Sequence, residues 1–509
     1  MSGWDQSAVT IATILPAFGA IVVAFLPKGR DRAARALGIA VTGLALGVGI
    51  AILATFDYGP NAGLQFELNT KWITAVGARF HVGLDGISLP LFELTLLLTF
   101  LCAVYTWKFM PQPGNARAFV ALLLLLETGM AGTFIAFDLV LFFVFWELVL
   151  IPMYFLIGIW GSGRREYAAI KFFLFTVTGS VLMLLSFIGA FFHAHPHTFD
   201  ILTLSRVGTG FSHTIQLLLF TGMFFGFAIK VPMWPLHTWL PDAHTEAPTV
   251  GSVLLAGILL KMGAYGFIRI AFPVLPDAAR TYAPAIAILG TIAIVYASLA
   301  CLAQRDLKRL IAFSSVGHMG FVMLGIATMT TVGINAAIFG MVAHGVITGM
   351  LFFEVGSIYD RYHTRQIADI GGGVLRKMPR LGGALALTAV ASLGLPGLAG
   401  FWGEVLALFG AYQPGPGLSV GLFRTLMVFG GIGTILTAGY LLWTVQRIDY
   451  GVVPERWEKV ALPDTTAVEW TAWAPLLVLI VVLGLVPTLV FGITNDAVNG
   501  LIGFITGSG

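Results

Sequence analysis

Fourteen times along this chain, apolar residues run for about the twenty positions a helix needs to cross a hydrocarbon layer. The windows fall near 7–27, 36–55, 88–109, 117–136, 138–161, 169–193, 215–239, 249–272, 283–304, 307–328, 333–357, 381–411, 421–446 and 472–493. In hydrocarbon each backbone N–H and C=O must be paired within the protein, which for single apolar segments leaves the α-helix. The expected fold class is an all-α polytopic membrane protein with about 14 transmembrane helices. Composition agrees, with 58% hydrophobic and 10% charged residues and a mean hydropathy of +0.90, well beyond a water-soluble domain. Cys102 and Cys301 are the only cysteines and sit in apolar runs. That excludes a disulfide framework, a Cys-ligated iron–sulfur cluster and a C-x-x-C-H haem site. Met1 to Gln6 carry no basic residue, so window 7–27 reads as a retained first span and not a cleaved signal. A lipid bilayer is the expected surrounding, and no nucleic-acid partner is expected.

The loop charges test the span count. With both termini outside, 20 of the 28 Lys and Arg residues fall in the seven inner loops and six fall outside. This fits the positive-inside rule. Two remain in no loop, Lys230 in the seventh span and Lys261 in the eighth.

Glu147 lies in the fifth span and Glu404 in the twelfth; His318 and His344 sit near the centres of the tenth and eleventh. A lysine or glutamate at bilayer depth costs ~2.5 kcal/mol or more on insertion scales. Such residues normally mark an ion or proton pathway, and a row of them points to proton transfer. A structural Glu147–Lys230 ion pair is the plainer alternative, but it leaves Lys261 and Glu404 unexplained. Single buried histidines are commonly satisfied core residues, and two on different helices can also ligate haem. Glu127, Asp138 and Glu354 carry a weaker signal, since snorkelling or local pairing suffices for them. Glu93 suits the positive end of a helix dipole.

Two spans are broken. The seventh, "GMFFGFAIKVPMWPLHTWLPDAHTEAP", carries Pro232, Pro235 and Pro241; the twelfth is interrupted by "GLPGLAG" (394–400), with Pro396. The three prolines of the seventh release the carbonyls of Ala228, Val231 and His237 from helical bonds. Broken backbone is tolerated at depth only when buried in protein or lining a wet cavity, so water there could solvate Lys230. The charges repeat as well: His318 follows Glu147 by 171 positions (147 to 318), and Glu404 follows Lys230 by 174 (230 to 404). A five-helix unit occurring twice, as spans 4–8 and 9–13, accounts for both spacings. Because five is odd, the second copy is inverted, an arrangement that places ion sites at its broken helices. The chain then divides into N-terminal helices (1–116), a first repeat (117–272), an inverted second repeat (283–446) and a C-terminal loop and helix (447–509).

"FWELVLIPMYFLIG", "KVPMWPLHTWLPDAHTEAPTVGSVLLAGILLKMGAYG", "DLKRLIAFSSVGHMG" and "LPGLAGFWGE" resemble the antiporter-like subunits of respiratory complex I, the proton-pumping NADH–quinone oxidoreductase, which are related to Mrp-type cation/proton antiporters. The resemblance covers essentially the whole chain. The L and N subunits of that family carry lysine where this chain has Glu404; another branch carries glutamate. Glu404, the 509-residue length and the lack of a long C-terminal lateral helix fit the glutamate branch.

The resemblance implies that Glu147 tunes Lys230, that Lys261 and His318 link two half-channels, and that Glu404, with His344 nearby, is the terminal site toward the outer side. Asp138 would take part in coupling. It further implies no cofactor in this chain, with NADH, FMN, iron–sulfur clusters and quinone bound by other subunits. The implied partners are other complex I membrane subunits, especially L and N. The setting would be a bacterial inner membrane. A stand-alone secondary cation/proton antiporter is the alternative function, and a structural spacer between pump modules a third.

Overall fold

The computed structural model describes residues 3–59 and 62–506. Thirteen helices in it are long and apolar enough to cross a membrane. Twelve of these match expected windows. Two further expected spans are present in other forms: the third is a 17-residue helix, Leu89–Tyr105, and the twelfth is split into Pro379–Ser392 and Gly400–Tyr412. The thirteenth long helix, Thr488–Thr506, corrects the last window. Window 472–493 straddles Pro487, which cannot continue the preceding helix; Ala467–Leu485 stops there and Thr488–Thr506 starts anew.

That last helix does not read as a fifteenth span. Its residues meet chain positions that all lie at one end of the bundle. Asn495 accepts from Asn335 (2.8 Å), Asn499 accepts from Thr331 (2.9 Å), and the Ile493 carbonyl abuts Gly86. With the Phe491 ring stacked on Phe339, these contacts step antiparallel along the eleventh span, so the helix continues the fourteenth span beyond its kink at Pro487 toward that end of the bundle.

The same end carries an element absent from the sequence expectations, an antiparallel β-hairpin of β1 (Gln65–Ile73) and β2 (Ala78–Leu84). Leu68 pairs with Val82 and Thr70 with Phe80, and the turn closes at Gly77 with φ +74°. Val82 bridges to Ala136, tying the hairpin to the end of the fourth span. The first two spans form an antiparallel pair joined by a short loop, and the second leads into β1. The chain thus starts and finishes at this hairpin end.

The eighth span (Thr249–Val274) is buried along its whole length, and the tenth (Leu307–Ala327) and eleventh (Thr331–Tyr362) nearly so. These three are the axis of the molecule, and they carry Lys261, His318 and His344. The sixth span (Arg165–His193) and thirteenth (Val420–Ile448) show more of themselves to the outside, with Leu174, Leu185, Val428 and Ile435 more than half exposed. Such residues suit lipid.

Local geometry departs from ideal helix where charges sit. The fifth span breaks at Val149 into Leu139–Leu148 and Leu150–Trp160, just before Pro152 and just after Glu147. The eighth holds two π-helical segments, Leu255–Leu259 and Phe267–Ala271, on either side of Lys261. Widened turns of this kind are found often at functional positions.

Glycines let the axis helices approach closely. Gly403, beside Glu404, lies against the backbone of the eleventh span, where an added Cβ would come 2.6 Å from the Gly340 Cα. A Cβ at Gly340 would instead lie 3.4 Å from a Val322 methyl, an ordinary contact that can yield slightly. Gly403→Val should therefore cost roughly 1–3 kcal/mol as an overpacked site, while Gly340→Ala should be tolerated. Thermal midpoints of the two purified variants check this, and equal midpoints would contradict the close crossing.

Candidate functional site

The seventh span runs as a helix from His213 to Lys230 and resumes at Trp239–Glu246. Pro232 and Pro235 lie in the break, while Pro241 sits in the first turn of the resumed helix, where no proline N–H is missed. Two of the three freed carbonyls find partners within the protein. The Ala228 carbonyl accepts from Met233 N–H (2.9 Å), and that of His237 from Leu240 N–H (3.0 Å). The Trp239 indole donates to Ile229 (2.9 Å).

Lys230, at the lip of this break, is buried. Its ammonium lies over the Trp146 ring, 4.8 Å from the centroid. Trp146 is held by its indole N–H, which donates to the Ser180 hydroxyl (3.0 Å). Glu147 is close enough to interact electrostatically with Lys230, but none of the ion pairs found among the described residues joins the two. A structural salt bridge would show that contact.

Lys261 has a different setting. Its ammonium donates to the Ala256 carbonyl, inside the first π-helical segment, and meets His344 Nδ1 at 2.6 Å. The His344 and His318 rings lie 5.7 Å apart. His318 Nδ1 contacts Glu404 Oε1 at 3.0 Å, and its Nε2 contacts the Ser392 hydroxyl at 3.1 Å. Four of the six expected row members, Lys261, His344, His318 and Glu404, thus adjoin one another in sequence across four spans. Lys230 and Glu147 stand apart, with no hydrogen bond to the others.

Between the two histidines and Glu404 lies a cavity of about 30 Å³, also lined by Thr348 and Ser392. His344 Nε2, Thr348 Oγ1 and Glu404 Oε2 are buried, have no protein partner and belong to residues lining it. A water needs roughly 10–15 Å³ and two to four polar partners, and here it has both. The space has no room for a porphyrin, so the two histidines do not ligate haem there. Among the described residues no group of three or more His, Cys, Asp or Glu is placed to hold a metal ion.

Asp138 has a structural setting at the helix start. Its Oδ1 accepts from the N–H groups of Val140 and Leu141, and its Oδ2 from Arg79 N–H. This caps the fifth span and pins the hairpin.

Other residues exceed their sequence signal. Glu127 and Glu354 are wholly buried and do not snorkel; both Glu127 oxygens lack a partner, and Glu354 is reached only by the Thr388 hydroxyl. His244, in the second half of the broken seventh span, stacks on Phe352 at 4.6 Å with both ring nitrogens unpartnered. It lies within electrostatic reach of Lys261 and Lys308. It falls between the seventh and eighth apolar windows, so no window flagged it.

A family model described as NADH:quinone oxidoreductase/Mrp antiporter, TM, matches residues 136–430, a stretch holding all the residues of this row. Subunit M of the NADH-quinone oxidoreductase of Rhodobacter capsulatus is 41% identical across 98% of this chain and 96% of that one. The chain belongs to this family. Within it the match is to the complex I subunit M, or chain 4, group: the Rickettsia bellii subunit M is also 41% identical, over 89% of each chain. A chain of respiratory complex I from Thermus thermophilus superposes with a TM-score of 0.86 at 29% identity, over 98% of this chain and 99% of that one. A chain of the Mrp complex from Dietzia sp. DQ12-45-1b shares the fold, with a TM-score of 0.83 at 20% identity. This protein is accordingly a membrane subunit of the NADH–quinone oxidoreductase type.

The three unpartnered atoms around the cavity make a direct expectation. A structure that resolves ordered solvent should show water bridging His344 Nε2 and Glu404 Oε2. Solvent ordered elsewhere in the same map, with none between these atoms, would contradict it.

Proposed function

We infer that this complex I membrane subunit carries protons across the bilayer through Glu147, Lys230, Lys261, His318, His344 and Glu404, driven by quinone reduction in other subunits. The observation that carries the reading is the pair of hydrogen-bonded contacts, Lys261–His344 and His318–Glu404, brought together by a shared small cavity between the two histidines. Ionisable residues at bilayer depth cost ~2.5 kcal/mol or more each, and a scaffold has no use for them. The positive-inside bias supports a hairpin end facing outward, since Lys71 and Arg79 of the hairpin fall among the six outer charges. The setting is then a bacterial cytoplasmic membrane with both termini outside.

In this reading spans 4–8 and 9–13 are inverted repeats, with Lys230 and Glu404 each at a broken helix. Glu147 acts on Lys230 by its charge, because opposite charge favours the protonated ammonium and its removal favours release. Neighbouring membrane subunits, including those of the L and N type, are the partners, and the redox cofactors belong to other subunits. A stand-alone cation/proton antiporter shares the fold of the Mrp relative; sodium transport by the isolated chain in proteoliposomes would favour it.

The test separates a proton carrier from a structural pair. Lys230→Ala should leave the complex assembled but abolish pumping and coupled quinone reduction. Lys230→Arg should be nearly as harmful, since arginine stays charged at any physiological pH. Glu147→Asp should be mild and Glu147→Gln severe. A structural pair orders these differently: Lys230→Arg is benign, and a double Glu147→Gln, Lys230→Met change restores assembly lost in the single variants. Proton translocation per assembled complex is the measurement. A fully pumping Lys230→Arg variant would overturn the carrier role.

A further inference from the structure

We propose that the terminal site at Glu404 is reached by protons from the end of the bundle opposite the hairpin, along a second relay through Asp449, Glu354, Thr388, Ser392 and His318. The proposal rests on the proton-carrying reading above and adds a route to it. Under that reading alone Glu404 faces the outer side; the relay gives it access from the inner side as well.

The geometry begins at the known site and runs away from it. His318 Nε2 contacts the Ser392 hydroxyl at 3.1 Å. Ser392 ends the first half of the broken twelfth span, Pro379–Ser392. Thr388 lies one turn earlier on the same face of that helix, displaced by about 6 Å of rise. Its hydroxyl donates to Glu354 Oε1 at 2.9 Å. Glu354 belongs to the eleventh span, ten residues beyond His344, about 15 Å closer to the end opposite the hairpin.

Glu354 is completely buried, and its second oxygen has no protein partner. A wholly buried acid with half its acceptors unused is costly unless something mobile and polar visits it. Within electrostatic reach stands Asp449, the residue that follows the thirteenth span at the same end of the bundle. Asp449 is 1% exposed, and neither carboxylate oxygen has a partner. Two buried carboxyl groups on different elements, Glu354 with one free oxygen and Asp449 with two, thus lie within electrostatic reach of each other. Among the described residues no ion pair joins a lysine or arginine to either. Arg361 is held bidentately by Glu469 (2.8 and 3.0 Å), and Arg447 stacks on Trp443 at 3.7 Å, with its Nε and one terminal nitrogen left without a hydrogen-bond partner. Tyr362 is the other titratable group facing Asp449.

Burial pushes the Asp449 carboxyl up to about 7. An acid in that range takes up and gives back a proton near neutrality, which a relay terminus requires.

Each hop conserves charge and atoms. Solvent loses an O–H bond as Asp449 gains one. Asp449 then passes its proton to Glu354 through water. Thr388 turns its hydroxyl toward Ser392, accepts the Glu354 proton on its oxygen and releases its own to a water spanning the turn. Ser392 does the same toward His318 Nε2. His318 gives up the proton on Nδ1 to Glu404, whose carboxylate becomes neutral. One proton moves, and no oxidant or reductant is needed.

The experiment uses the whole complex in proteoliposomes, reading protons moved per NADH oxidised, with assembly quantified in the same sample. Glu354→Gln, Thr388→Val and Asp449→Asn are compared with Lys230→Ala. Thr388→Val is nearly isosteric and removes only the hydroxyl, so it separates relay from packing. Removing a positioned proton-transfer group should slow coupled turnover by roughly tenfold or more, with assembly retained, while Glu354→Asp should keep most of it. Wild-type pumping in Thr388→Val and Asp449→Asn, alongside loss in Lys230→Ala, would overturn the relay and leave the proposed function standing. Wild-type pumping in Lys230→Ala would instead overturn the proposed function.

Discussion

Everything distinctive in this fold follows from the cost of holding an ammonium or carboxylate away from water. Lys261 meets that cost with two contacts, a π-segment carbonyl and the Nδ1 of His344. The carbonyl is available because the widened turn around Leu255–Leu259 alters the usual i to i+4 pattern. The histidine is available because the eighth and eleventh spans approach within side-chain contact near Gly257 and Gly345. Replace the widened turn and the close glycine crossing by ideal helix with larger residues, and Lys261 loses both partners. The three most buried spans therefore carry the charges because only there can the protein itself take the place of solvent.

Glu404 shows the same logic with a different device. The twelfth span stops at Ser392 and restarts at Gly400, so the Ser392 hydroxyl and the Glu404 carboxylate come together around His318 although twelve residues separate them. An unbroken helix would place them about three turns apart. Gly394, at φ +80°, lets the chain turn where Glu404 Oε2 lies 3.1 Å from the position of a would-be Cβ. A side chain there would crowd the carboxylate and meet an unfavourable backbone conformation at once.

Most spans were legible because twenty apolar residues leave a chain few choices, and the positive-inside bias set their alternation. The burial of the charges was legible for the same reason. What the windows could not show was anything decided by contact between distant segments. The hairpin 65–84 is too polar to register as a span, and its alternation in "QFELNTKWI" and "ARFHVGL" is interrupted by bulges. Window 472–493 averaged over Pro487 and merged two helices. The π segments leave no compositional trace in "LAGIL" or "FIRIA". The three backbone N–H groups that Asp138 accepts from belong to the fifth span and the hairpin, contacts that no apolar window displays. Glu354 looked incidental because nothing in the sequence shows that Thr388 faces it.

The two halves of the row differ in kind, and the difference bears on how a signal could pass. In the second half, Lys261, His344, His318 and Glu404 are joined by contacts of 2.6 to 3.0 Å and a shared small cavity. On the proposed proton path, the step between the two histidines falls to a water in that cavity, and the other steps follow contacts already made. In the first half, Lys230 rests on an aromatic face with its acid partner at a distance. A cation–π contact holds an ammonium with ~2 kcal/mol when desolvated, far less than a buried, hydrogen-bonded ion pair would take to break. A weak hold of this kind is what the proposed carrier role asks of Lys230. The charge of Glu147 acts over the intervening gap without a bond that must first be broken. A loosely held donor beside a tightly bonded chain places the conformational freedom at the helix break, where Pro232 and Pro235 already interrupt the ladder, and leaves the axis rigid.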